Sequence, residues 1–281
     1  MPLDFETENF GNGFLGYGDA QGQWWFIGME EGGGNTCPEV CARIKYWIDH
    51  GRRPLLDLAD FCRKMGNGLE RWFPQNGNLP PLQPTWHCLM IIQLMARDIE
   101  GYENADSERR KLIAKKHQLH HWGRYGSDTC LIEVLPFPSP GNDKFYYMTA
   151  CWENIVPLFA KNRDEAFKHF NEKRGKVLNE LWEANSSKNK KRVVVYYAGL
   201  TNKPNKSKKF RNQELYWEWF IQAINMHKDL PIPHQLNGGA FNARIYAHEN
   251  TILVRTHHPS QHGIPDDYWI GIGIEIRKWL A

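Results

Sequence analysis

No apolar run in this chain approaches the length of a membrane span, and its first ten residues, MPLDFETENF, are acidic and lack the apolar core of a secretion signal. Nor is there an excess of one charge. The 35 Lys and Arg face 32 Asp and Glu, and a net +3 is too small a sum to mark a nucleic-acid binder, so the distribution of charge has to decide. Cysteine is sparse and irregular: the six thiols at 37, 41, 62, 88, 130 and 151 follow no disulfide or zinc spacing, and the expected setting is soluble, reducing and cytoplasmic. Without an internal repeat or a domain-length linker, residues 1–281 read as one domain.

Aromatics are abundant by contrast. Twelve tryptophans serve either a stacking or sugar-binding surface or a core built around large rings. The organising stretch is residues 24–35, WWFIGMEEGGGN, in which a short apolar run breaks into two acids and three glycines. Such a run reads as a buried strand, and the glycine segment as a turn whose bare backbone can approach a ligand. Helical spacing follows at 38–50, with Pro38 suited to the first turn, and the free N–H groups of that helix point back at the acidic turn. Further helices are expected at 55–64, 85–99, 107–122, 149–161, 164–185, 214–227 and 266–280, with loop-rich sequence at 66–84.

Strands are expected at 131–135, ending in Pro136-Phe137-Pro138, at 192–198, and as a short pair within 243–255. With the strand at 24, this describes an α/β fold: a three-layer α/β/α sandwich around a central, mostly parallel sheet of four to five strands. Ligands bind such sheets outside the carboxyl ends of the strands. That rule sends four loops to one rim: the acidic glycine turn, the proline loop after Leu135, the basic loop after Gly199, and the loop His257-His258-Pro259-Ser260-Gln261-His262-Gly263.

Three of these loops carry motifs. Gly28-Met29-Glu30-Glu31-Gly32, Glu133-Val134-Leu135-Pro136 and His258-Pro259-Ser260, in that order and at strand ends, resemble the three motifs of the uracil-DNA glycosylase superfamily. The resemblance covers the strand framework from about 24 to 262 and leaves the insertions near 50–84 and 160–190 unexplained. It implies a cofactor-free, metal-free, monomeric DNA glycosylase that hydrolyses the N-glycosidic bond of a flipped base and leaves an abasic site. The first motif would hold the acid that positions water, and His258 would stabilise the departing base anion. By position Glu30 matches the water-positioning residue and Glu31 replaces the motif's proline, with Glu31 a close rival for the role.

Gly28, Met29, Glu133, Pro136, Phe137 and Ser260 would line the base pocket. Glu133 departs from the family, whose uracil-excising members carry Asn there. An ionised carboxylate only accepts hydrogen bonds, which suits the exocyclic amine of cytosine, so a modified cytosine is favoured over uracil, as in phage-defence glycosylases. On the same rim Lys203, Lys206, Lys208, Lys209 and Arg211 would clamp phosphates with His257, Gln261 and His262, and Lys188, Lys190, Lys191 and Arg192 before the strand could add to them. Ile264 would wedge into the gap left by the flipped base. Tyr46, Trp47 and Trp86 are candidates for the stacking ring.

Other chemistries compete. Glu30, Glu31, His257, His258, His262 and the trio His117, His120 and His121 suit a metal-dependent hydrolase. Cys37 and Cys41, one helical turn apart, suggest an iron–sulfur member of the same superfamily. A nucleoside hydrolase or a nucleotide-binding module on the same fold is the remaining reading.

Overall fold

A strand with no polar residue must be covered on both sides, and the chain meets that demand with one sheet between two sets of helices. The computed structural model describes residues 3–29, 31–34, 36–139, 163–185, 190–200, 211–227, 230–238, 241–260 and 263–281. Among them the strands are β1 (Gly16–Gly18), β2 (Trp24–Gly28), β3 (Leu55–Leu56), β4 (Thr129–Glu133), β5 (Arg192–Tyr196), β6 (His234–Gly238), β7 (Phe241–His248) and β8 (Thr251–Arg255). The helices are α1 (Leu3–Gly13), α2 (Cys37–Asp49), α3 (Leu58–Met65), α4 (Pro84–Arg97), α5 (Ser107–His120), α6 (Arg163–Asn185), α7 (Arg211–Ala223) and α8 (Asp266–Leu280). The helix expected at 149–161 lies outside the described residues.

The strands form a single sheet in the order β3-β1-β4-β2-β5-β8-β7-β6. Its centre, β4-β2-β5-β8, is parallel throughout. β1 runs antiparallel to β4, and β7 and β6 continue antiparallel beyond β8. The fold is therefore α/β with a mostly parallel mixed sheet, but eight described strands replace the four to five expected. The additional β1, β3 and β6 read GYG, LL and HQLNG, and none carries the apolar run by which the sequence announces a strand.

Side-chain alternation sorts the strand residues into two cores. Trp24, Phe26, Val193, Val195, Ile252 and Val254 face α2, α3, α4, α5 and α8. Trp25, Ile27, Val194, Tyr196 and Leu253 face α6 and α7. Trp24, Trp25, Trp122 and Trp269 are fully buried, so these rings build core rather than a stacking surface. Burying each large apolar side chain contributes about 1.5–3 kcal/mol, which is why a sheet this apolar needs helices on both faces.

The order of the parallel quartet sets the location of a site. From β2 the chain reaches β4 on one side and later returns to β5 on the other. Ligands of such sheets bind at this switch, outside the carboxyl ends of β2 and β5, where Gly28 and Tyr197 stand. α2 opens at this edge: Thr36 caps it by accepting from the Glu39 N–H at 3.3 Å, and Pro38 occupies its first turn as its sequence predicts.

Candidate active site at the carboxyl edge of the sheet

Register places Gly28 directly between Glu133 on β4 and Tyr197 just past β5, since Gly28 pairs with Glu133 and Ile27 with Tyr196. All three point to the same face, and the missing side chain of Gly28 lets its two neighbours meet over it. The Tyr197 hydroxyl and Glu133 Oε2 both border the space above Gly28, close enough for the charge of the carboxylate to act on the hydroxyl. A Cβ on Gly28 would stand 2.5 Å from the Tyr197 hydroxyl oxygen and collide with Glu133 Oε2 as well. Burial, and then the charge of Glu133, push the Tyr197 hydroxyl well above its ordinary pKa, so it remains a donor. Tyr197 is a functional candidate that sequence reading absorbed into the strand RVVVYYA. Its one signal was a second tyrosine where alternation returns to the rim face.

The backbone around Glu133 is held from below by Arg174 of α6, which is 1% exposed. Its guanidinium donates to the carbonyls of Glu133 (2.6 Å), Val134 (3.2 Å), Gly11 (2.9 Å) and Phe14 (2.5 Å). A planar fork with five N–H groups can gather carbonyls from α1 and from the exit of β4 at one point; a lysine could not.

In the acidic turn, Glu30 lies outside the described residues, while Glu31 is engaged on both oxygens. Arg43 Nη1 stands 2.5 Å from Glu31 Oε1, and the Tyr17 hydroxyl donates to Oε2 at 2.9 Å. Arg43 also pairs with Glu39 at 2.9 Å, and Glu39 accepts from the Gly34 N–H at 2.8 Å. Burial opposes the charge on Arg43, but Glu31 and Glu39 outweigh it and raise its pKa above the ordinary value. The backbone of the turn is tied to the β4 exit, because Ser139 N–H donates to the Glu31 carbonyl at 2.8 Å. Gly33 and Gly34 adopt φ of 106° and 71°, and side chains there would strike Arg43 and Pro138.

His258 sits beyond β8 with its ring 5.7 Å from that of Tyr197. The backbone N–H of Ser260 donates to its Nδ1 at 3.1 Å, and the Ser260 hydroxyl lies 2.7 Å from the same atom. A backbone N–H can only donate, so Nδ1 accepts and the neutral ring carries its proton on Nε2. Burial lowers the pKa of His258 to about 4, and at neutral pH the ring is an uncharged donor. Glu133, Tyr197 and His258 thus form one connected group at the edge, beside the clamped acid Glu31.

Several expected site residues are placed elsewhere. His257 turns inward, 3% exposed, with its ring edge-on to Phe241 at 5.5 Å, so it offers DNA no surface. Phe137 is 2% exposed and packs between Phe10 and Phe170, and Pro136 beside it is buried. Ile264 is half-buried against the larger core and does not project as a wedge. Met29 packs on the opposite core and contributes its carbonyl, which accepts from Leu135 N–H at 2.7 Å. Lys190, Lys191 and Arg192 precede a strand whose carboxyl end forms the rim, so they belong to the opposite edge. There Lys191 donates to the carbonyls of Trp279 and Leu280, and Arg192 is buried beneath Trp182.

Lys203, Lys206, Lys208, Lys209, Gln261 and His262 lie outside the described residues, as does Lys188, and Arg211 is described only as the first backbone position of α7. His117 is buried and bonded to Gln93 at 2.9 Å, with its pKa driven down to about 3 by burial and the nearby charges of His121 and Arg97. Of the stacking candidates, Tyr46 and Trp47 are buried and Trp86 packs against Phe73. Compared with protein families, curated proteins and solved structures, the chain matches none.

Proposed function

We propose that the chain is a monofunctional DNA glycosylase that flips a modified pyrimidine, a modified cytosine in preference to uracil, into the space beyond β2 and β5. In this reading the parallel quartet is the framework of an α/β/α sandwich of the glycosylase type. The observation that carries the proposal is the pairing at one edge of a fixed carboxylate, Glu133, with an uncharged histidine donor, His258, through Tyr197. Glu133 accepts from the exocyclic amine of the base. Water adds to C1′ of the sugar, the C1′–N bond breaks, and its electron pair leaves on the base, where the Nε2–H of His258 meets the developing negative charge. Because Glu31 is already engaged by Arg43 and Tyr17, the reading assigns the water and its proton to Glu30, with Glu31 anchoring the turn.

The test is incubation with duplexes bearing a panel of cytosine and uracil derivatives, scored for free base and abasic sites. Modified cytosine is expected to be released faster than uracil, and His258→Ala to slow release about 100- to 1000-fold. Equal or better release of uracil removes the role given to Glu133, and no release from any duplex removes the enzyme.

A further inference from the structure

The insertion at 50–84, which the resemblance leaves unexplained, builds a second recess away from the sheet edge. Gln118 of α5 staples the segment down: its amide donates to the carbonyls of Trp72 (3.0 Å) and Pro81 (3.1 Å) and accepts from Gln83 N–H at 3.1 Å. Between this segment, α3 and the end of α5 lies a cavity of about 470 Å³ lined by Arg63, Pro74, Gln75, Leu119, His120 and Arg124.

Both guanidiniums are oriented by their Nε edge and keep donors to spare. Arg63 donates Nε–H to the Phe73 carbonyl at 2.9 Å, and its nearest carboxylate, Asp60, stands 3.6 Å from Nη1. Arg124 donates Nε–H to Asp57 at 2.9 Å and Nη1–H to the Leu119 carbonyl at 3.3 Å. Asp57 is the N-cap of α3 and also accepts from the N–H groups of Ala59, Asp60 and Tyr125, so its charge is dispersed among four donors. The Nη2 groups of both arginines have no partner among the described residues. The local field is positive as well: after burial, the charges of His120, Arg97 and Arg124 lower the pKa of neighbouring His121.

We propose that this cavity binds a phosphate ester through Arg63 and Arg124, with His120 and Gln75 at its mouth and Pro74 and Leu119 offering an apolar wall to the rest of the ligand. Two forks with free N–H pairs match phosphate oxygens bidentately, and the volume suits a group the size of a nucleotide. The source is a free phosphorylated metabolite or a nucleic-acid backbone, and either would present the same group.

The test follows backbone amide shifts of the intact protein during titration with inorganic phosphate, adenosine 5′-monophosphate and a twelve-residue single-stranded DNA, and requires no turnover. Saturable shifts centred on Gly77, Leu119 and Arg124 are expected. Strongest response to the mononucleotide identifies a metabolite site, and strongest response to the DNA a backbone site. Arg63→Gln, which leaves the Asp57 cap intact, is expected to weaken binding at least about tenfold. No saturable shift with any probe, shifts centred at the sheet edge, or unchanged affinity in Arg63→Gln and Arg124→Gln overturns the proposal, whether or not the protein releases bases.

Discussion

Replacing Gly28 with Ala isolates the contact on which the candidate site depends. The position lies in a strand and requires no left-handed backbone, so alanine costs nothing in backbone strain. The entire penalty comes from the added carbon, which would stand 2.5 Å from the Tyr197 hydroxyl and closer still to Glu133 Oε2. Both obstacles are side-chain ends, and the cheapest relief is to push them apart. Losing the contact between the hydroxyl and the charged carboxylate costs about 1.5–3 kcal/mol, and residual overpacking adds about 1–3 kcal/mol. Gly28→Ala should therefore destabilise by about 2.5–6 kcal/mol in urea unfolding followed by tryptophan fluorescence, with an unchanged denaturant slope. In a Tyr197→Phe background the hydroxyl is gone, and the same substitution should cost at least about 1 kcal/mol less. A cost within about 0.5 kcal/mol of zero, or one equal in both backgrounds, refutes the idea that Gly28 is bare to let Glu133 and Tyr197 meet.

Tyr197→Phe should leave the fold intact yet reduce the preference for modified cytosine over uracil about tenfold in base-release assays, because Glu133 loses the hydroxyl beside it; an unaltered ratio assigns Tyr197 to packing alone. Arg43→Met leaves Glu31 and Glu39 without their buried counter-charge and should destabilise by about 3–5 kcal/mol, with partial recovery in the triple variant that adds Glu31→Gln and Glu39→Gln. His117, with its pKa lowered to about 3, resists protonation in the folded state while the unfolded chain takes up a proton near pH 6.5. Its contribution is thus complete above pH 6.5 and is lost as the pH falls towards 3, by up to about 1.4 kcal/mol per unit. Chemical denaturation at pH 7, 5 and 4 should show a shallower pH slope for His117→Gln than for the parent; parallel slopes would contradict the burial of a neutral ring.

The central strands were legible because β2 and β5 are continuous apolar runs, and only a doubly covered strand can be so. Residues such as Gly16–Gly18 pair through backbone alone and leave no side-chain pattern to read. At the candidate site, Glu133 and His258 were named by the motifs that resemble the glycosylase pattern, and strand order brings both to the same edge. The inward turn of His257 was not legible, since it is decided by Phe241 and Tyr268, which arrive from other elements. Tyr197 and Arg174 were missed for a related reason: their partners lie 64 and 41 residues away along the chain, and only strand register and helix packing bring them together.

Arg174 also bears on the order in which the molecule can assemble during synthesis. The carbonyls of Gly11 and Phe14 wait for a guanidinium about 160 residues downstream, and the exit of β4 waits for the same group. Central strand β2 likewise lacks one neighbour until β5 has been made. A nascent chain released from the ribosome before α6 would therefore expose an unpaired central strand and an unfinished rim, so this edge must be a late product of folding and a vulnerable point for chaperone capture.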